Sequence, residues 1–250
     1  MVVFLTSSPT GPLDNSRFVD GVDEKNYLIE NLKKYWKDDM KCLYITATPD
    51  DFELNDRIRG DMFRIFEKSG FKTSAFDVLD RRTGNIPEEY LNMYDALFLG
   101  GGHVPTQNAF FTDICLRGKI KSFRGLVLGI SAGTMNAADM VYAQPEEAGE
   151  AVDPNYVRFM PGLGLTDINI LPHYQMVKDF ELDGMRLYEE ITRGDSFGNE
   201  FLVLPDGSYV LIECGEAFVW GEAYVMKDGE FYQICADGER VHLGQNVIEK

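Results

Sequence analysis

From Gly125 to Asp139 the chain reads GLVLGISAGTMNAAD, with one serine, Ser131, set between two glycines where an apolar run passes into small, helix-compatible residues. That pattern describes a nucleophile elbow: the turn is tight enough to strain the serine, and the glycines keep side chains away from it. The Ser131 hydroxyl would then stand above the carboxyl end of a strand, over the N-terminus of a helix. A hydroxyl needs a base before it attacks a carbonyl, and the chain has only three histidines, His103, His173 and His242. His242, in ERVHLG, lies in a hairpin-rich region and reads as a surface or edge residue. His103 follows the glycine run of LFLGGGHVPTQ, where it could line a pocket and touch substrate. His173 ends INILPHY, just after an expected strand, the position from which sheet folds present catalytic groups, and it is the candidate base.

The third member of such a system is an acid that orients the imidazole and stabilises its charged form. With the order Ser, acid, His the choices are Glu146, Glu147 and Asp153. With the acid last, Asp206 in FLVLPDGSYV is the better candidate, since its turn follows a core strand. Class I glutamine amidotransferases resemble the chain in having an elbow and a later histidine, but they carry cysteine in the elbow and glutamate two residues after the histidine. Ser131 and Gln175 occupy those positions here, which removes thiol glutaminase chemistry.

The elements that must position these groups are legible as short apolar runs, VVFLTSS, KCLYITAT, FKTSAFDV, DALFLGGG and GLVLGIS, alternating with amphipathic segments such as Tyr27 to Trp36, Phe52 to Ser69 and Thr106 to Leu116. Buried strands alternating with helices predict an α/β fold, a mainly parallel sheet flanked by helices, with ligands at the carboxyl ends of its strands. Met176 to Arg193 reads as a helix. The pairs Asp206-Gly207, Asp228-Gly229 and Asp237-Gly238 read as hairpin turns, so antiparallel strands should finish the sheet. No repeat or linker divides the 250 residues, and a single domain over 1–250 is expected.

The 44% hydrophobic and 12% aromatic content suffices for one sizeable core. A net charge of −17 repels phosphate backbones and anionic lipid, so neither nucleic acid nor membrane is an expected partner. The start of the chain reads as a first strand rather than a signal peptide. Cys42, Cys115, Cys214 and Cys235 form no metal-ligand spacing and read as buried thiols, which suits a cytoplasmic protein.

Taken together and in this order, LFLGGGHVPTQ, LGISAGTMNAA, INILPHY and VLPDGSYV resemble the peptidase E family of serine peptidases, which contains aspartyl dipeptidases and has cyanophycinase as a relative. The resemblance implies a glutamine-amidotransferase-like α/β sandwich, with Ser131 as nucleophile, His173 as base and Asp206 as acid. It implies oxyanion-hole amides from Gly101 and Ala132, and it leaves Glu146, about 15 residues after the serine, as an alternative acid. The implied reaction is hydrolysis of a small peptide with N-terminal Asp through an acyl-enzyme, without cofactor or metal, by a monomer or homodimer. An aspartyl side chain would need a cation, for which Arg186 is the candidate and Arg158 and Arg193 its rivals. His103 stands where dipeptidase members commonly carry asparagine, a departure that bears on substrate choice.

Overall fold

In the computed structural model, which describes residues 1–10 and 21–243, the five apolar runs of the N-terminal half form five parallel strands. These are β1 (Val2–Thr6), β2 (Met40–Ile45), β3 (Thr73–Leu79), β4 (Ala96–Leu99) and β5 (Leu126–Ile130). Side by side they run β1, β5, β4, β2, β3, every neighbouring pair parallel. Their runs are continuously apolar because the sheet is covered on both faces. Phe4, Tyr44, Phe98 and Leu128 share a core with Leu28 and Leu32 of the helix Leu28–Lys33 and Phe66 of the helix Phe52–Lys68. Val3, Leu43, Leu97 and Val127 of the opposite face share another with Phe110 and Phe111 of the helix Val104–Asp113. Each fully buried leucine or phenylalanine of this kind contributes about 1.5–3 kcal/mol.

Beyond β1 the same sheet continues in antiparallel strands, Tyr209–Glu213, Glu216–Trp220 and Arg240–His242. The expected α/β class, with antiparallel strands at its C-terminal end, is therefore observed. A second sheet was not foreseen: Asn169–Leu171, Glu200–Val203, Ala223–Lys227 and Glu230–Cys235 pair among themselves. Only one of the three Asp-Gly pairs, Asp228-Gly229, closes a hairpin. Asp206-Gly207 and Asp237-Gly238 instead carry the chain from one sheet to the other. Cys214-Gly215, with φ of 53° and 82°, turns the hairpin between Tyr209–Glu213 and Glu216–Trp220.

Met176 to Arg193 is not one helix. A helical turn, Tyr174–Val177, leads to a small hairpin of Glu181–Leu182 against Met185–Arg186, then to a π-helical stretch, Leu187–Thr192, and a last turn, Arg193–Asp195. Asp183 and Gly184, at φ of 53° and 81°, cannot continue a right-handed helix, so the apolar periodicity spans a break. The thiols also differ from expectation: all four are free, but only Cys42 and Cys235 are buried, while Cys115 and Cys214 are exposed. Among the described residues no helix is long and apolar enough to cross a membrane.

The two glycines Gly133 and Gly60 provide a matched test of this packing. A Cβ on Gly133 would lie 2.2 Å from the carbonyl oxygen of Leu99, a backbone atom of β4 that cannot step aside, whereas one on Gly60 would meet nothing within 4 Å. Gly133→Ala should destabilise the protein by about 1–3 kcal/mol or more. Gly60→Ala, inside Phe52–Lys68, should stabilise it by about 0.5–1 kcal/mol. Urea unfolding midpoints of the two variants, expected on opposite sides of wild type, check both.

Candidate active site

Ser131 is the first residue past β5, and its φ of 49° and ψ of −111° take it out of every region a serine ordinarily occupies. The helical turn Ala132–Met135 begins at once, so the chain reverses beneath the side chain. The flanking glycines make this possible: a Cβ on Gly129 would press to 2.8 Å from Thr134 Oγ1, and Gly133 packs against Leu99 as described. The Ser131 N–H donates to the Thr6 carbonyl at 3.2 Å, and the Thr134 hydroxyl donates to the same oxygen at 2.8 Å.

His173 and Asp206 come from the second sheet. Leu171 pairs with Val203 in parallel register, and each strand runs on a few residues past that pair, His173 from one and Asp206 from the other. The extensions stay joined: Leu204 N–H donates to Leu171 O at 2.8 Å and Tyr174 N–H to Leu204 O at 3.2 Å. His173 takes a left-handed φ of 60°. Its Nε2 lies 2.8 Å from Ser131 Oγ and its Nδ1 2.7 Å from Asp206 Oδ1, so the three side chains form one chain of hydrogen bonds.

Two residues that sequence reasoning did not assign complete the surroundings of the carboxylate. The Ser7 hydroxyl donates to Asp206 Oδ1 at 2.6 Å, and its oxygen accepts the His173 backbone N–H at 2.8 Å. Gln175 Nε2 donates to Asp206 Oδ2 at 2.7 Å, and Gln175 Oε1 accepts the Asp206 N–H at 2.9 Å. Burial pushes the Asp206 carboxyl up, but the hydrogen bond and charge of His173, with the donors Ser7 and Gln175, outweigh it and hold the carboxyl below its ordinary value. The only available signal was Gln175's place two residues after the histidine. Ser7 carried no signal in spacing.

A cavity of ≈ 210 Å³ opens above Ser131, lined by Gly102, Val104, Ala132, Met135, Gln144, Pro145, Glu146, Pro172, His173, Val177, Phe180 and Leu187. The loop after β4 passes directly beside the serine: a Cβ on Gly101 would stand 3.4 Å from Ser131 Cβ. The N–H groups of Gly101, Gly102 and Ala132 donate to no acceptor among the described residues, which leaves them available to an oxyanion. Gly102, rather than the predicted Gly101, lines the cavity, and its φ of 148° requires glycine.

The remaining candidates are elsewhere. Glu146 is not bonded to His173: its Oε1 accepts the Val104 N–H at 3.1 Å, and Asp206 already occupies Nδ1, so Glu146 is not the acid. His103 does not line the cavity; its Nδ1 meets Thr106 Oγ1 at 2.7 Å and its Nε2 meets Glu150 Oε1 at 2.9 Å. Arg186 is exposed at the end of the small hairpin and paired with Glu189, because the predicted helix that would have turned it inward does not form. Arg158 lies 3.4 Å from Asp195 Oδ2, and Arg193 donates to the Gly229 carbonyl. His242 is an exposed edge residue paired with Glu216. Among the described residues, His103, Glu147 and Glu150 form the single grouping whose ligand atoms lie within 4.8 Å of one another. In that grouping both His103 nitrogens already have partners, and Glu150 Oε2 accepts the Glu146 and Glu147 N–H groups.

The Asp206 network has a pH signature. A carboxyl depressed on folding stabilises the protein fully above its unfolded value of about 3.9, and that contribution is lost as pH falls through the lower folded value. Gln175→Leu removes one charge-assisted hydrogen bond and should cost about 1.5–3 kcal/mol at pH 7. Urea unfolding at pH 7 and pH 3 should show the gap from wild type narrowing at the lower pH. A gap of equal size at both would separate Gln175 from the ionisation of Asp206.

Comparisons with known proteins bear on the fold and the family. A crystal structure of a peptidase from an acI-B1 Actinobacterium matches at a TM-score of 0.65 with 14% identity, covering 97% of this chain and 96% of that one. A protein assigned to peptidase E from Listeria monocytogenes EGD-e matches at 0.56 with 15% identity, over 94% of this chain and 98% of that one. At such identities these two speak for the fold alone. No curated protein sequence matches the chain. The model of peptidase family S51 matches residues 19–219, a span that holds Ser131, His173 and Asp206, and the chain belongs to that family, the peptidase E family of serine peptidases.

Proposed function

We propose that the protein hydrolyses short peptides through an acyl-enzyme formed on Ser131. The observation that carries this reading is the continuous path from Ser131 Oγ to His173 Nε2 at 2.8 Å and from His173 Nδ1 to Asp206 at 2.7 Å, with the serine held in an elbow. His173 takes the hydroxyl proton as Oγ attacks the scissile carbonyl carbon, and Asp206 stabilises the imidazolium that results. The N–H groups of Ala132 and of the Gly101–Gly102 loop receive the oxyanion. As the tetrahedral species collapses, His173 gives its proton to the leaving amine. Water then attacks the acyl-serine with His173 again as base, and the proton returns to Oγ.

The aspartyl dipeptidase reading is the finer form of this function, and it requires a cation for the substrate carboxylate, since burying that charge unpaired costs several kcal/mol. Among the described residues, no lysine or arginine lines the cavity. The cavity therefore supports a peptidase of short substrates and gives no support to aspartate as the first residue. An esterase of the same chemistry is separated by its preference for simple esters over peptides.

A fluorophosphonate probe should label the wild-type protein and fail to label Ser131→Ala. Asp206→Asn should lower kcat for a cleaved peptide by a factor on the order of 10⁴ while leaving the fold intact by circular dichroism. Labelling that persists in Ser131→Ala would place the nucleophile elsewhere.

A further inference from the structure

The cavity beside Ser131 has an uneven chemistry that the catalytic residues do not use. Met135, Val177, Phe180 and Leu187 give it an apolar wall. Apart from His173, the single ionisable side chain in its lining is Glu146. The Glu146 carboxylate is fixed by one oxygen only: Oε1 accepts the Val104 N–H at 3.1 Å, and Oε2 has no hydrogen-bond partner among the described residues. Gln144 lines the same cavity. The Thr192 hydroxyl donates to Leu187 O at 2.9 Å, so it must accept one N–H of Gln144 Nε2 at 2.6 Å, which fixes the amide with its carbonyl oxygen unpaired among the described residues. Glu146 Oε2 and Gln144 Oε1 are both acceptors. Burial raises the Glu146 carboxyl, against the Val104 N–H and the charge of His103, while Glu150 and Glu147 push it further the same way. A cation arriving there would relieve that penalty.

The cavity lies directly at the scissile bond. At ≈ 210 Å³ it has room for a residue-sized group beside Ser131. In a peptide cut after its first residue, the α-ammonium is two covalent bonds from the carbonyl carbon that Ser131 attacks, so it lies in the cavity that Ser131 and Glu146 both line. The surroundings favour a positive end: Glu147 and Glu150 act on the Glu146 carboxyl, the net charge of the chain is −17, and among the described residues no lysine or arginine lines the cavity.

We propose that Glu146 and the apolar wall form the binding site for the first residue of the substrate, the carboxylate taking a free α-ammonium and Met135, Val177, Phe180 and Leu187 taking an uncharged, apolar side chain. The proposal rests on the reading of Ser131 as the nucleophile. It makes the protein an aminopeptidase or dipeptidase selective for a free N-terminus on an apolar residue. Glu146 is then a specificity-determining group that binds ground and transition states alike.

The test uses p-nitroanilides of leucine, N-acetyl-leucine, aspartate and lysine on the full chain, with wild type and Glu146→Gln, whose amide can keep the Val104 bond. Wild type should prefer the leucine anilide over the other three. Glu146→Gln should raise KM for it roughly 10- to 100-fold, the range of a charge-assisted hydrogen bond, with kcat within a few-fold. The acetylated compound should respond little to the substitution, and Glu146→Asp should restore part of the loss. Equal hydrolysis of free and acetylated leucine, a preference for lysine or aspartate, or a fall in kcat on both leucine compounds would each overturn the proposal. So would no turnover of the leucine anilide by protein that a fluorophosphonate labels at Ser131. Absence of that labelling would overturn instead the nucleophile reading beneath it.

Discussion

The carboxyl end of β1 is the fixed point to which the whole site is tied. Thr6 and Ser7, two adjacent residues, hold the backbones of both groups that exchange the proton: the Ser131 N–H donates to Thr6 O, and the His173 N–H donates to Ser7 Oγ. Ser7 also donates its hydroxyl to Asp206 and its backbone N–H to Ser208 O, so the acid's turn is fastened there as well. Ser131 and His173 both sit at positive φ, each conformation costing about 1–3 kcal/mol, and such strain persists only where neighbours over-determine it. A central strand held by β5 on one side and Tyr209–Glu213 on the other is rigid enough to do so.

That arrangement explains why the molecule needs two sheets. The first places Ser131 and the glycine loop at the ends of adjacent parallel strands, where Leu99 of β4 pairs with Gly129 of β5. The second places His173 and Asp206 at the ends of another parallel pair. One of the connections between the sheets is Pro205 to Ser208, and the acid lies on it, shortly before the strand that pairs with β1. Asp206 therefore lies at a junction of the sheets and is hydrogen-bonded to the imidazole. Its bonds to Ser7 and His173 span the first sheet and the second.

How much of this could be read from the residues depends on whether the signal was local. The elbow is local: two glycines, a serine and an apolar run specify the turn, and its consequence, Ser131 at a strand end, follows. His173 was legible for the same reason. Asp206 was legible as a candidate but for an incomplete reason, since its Asp-Gly turn joins two sheets and closes no hairpin. Ser7 gave no local sign, and Gln175 only its place two residues after the histidine, because a single serine after a strand or a glutamine in a helical turn acquires meaning only when a distant carboxylate arrives. The second sheet was hidden because FLVLPDGSYVLIE reads the same whether its two strands pair with each other or part company. Arg186 was misplaced because helical periodicity ran across Asp183-Gly184, whose left-handed backbone breaks the helix.

The electrostatics separate into two regions with different rules. Around Asp206 every donor is directed at a charge that must stay negative, and the carboxyl is accordingly held low despite its burial. Around Glu146, burial raises the carboxyl, and the single backbone N–H and the charge of His103 offset it only in part. A fully satisfied carboxylate is a structural and orienting group, because nothing remains for a ligand to change. An incompletely satisfied one is a group whose energy a ligand can change by a large amount, since a charge-assisted bond there replaces poor solvation rather than good solvation. The two carboxylates serve the same hydroxyl from different distances, and their surroundings, rather than their chemistry, decide that one orients the base while the other is left open to the substrate.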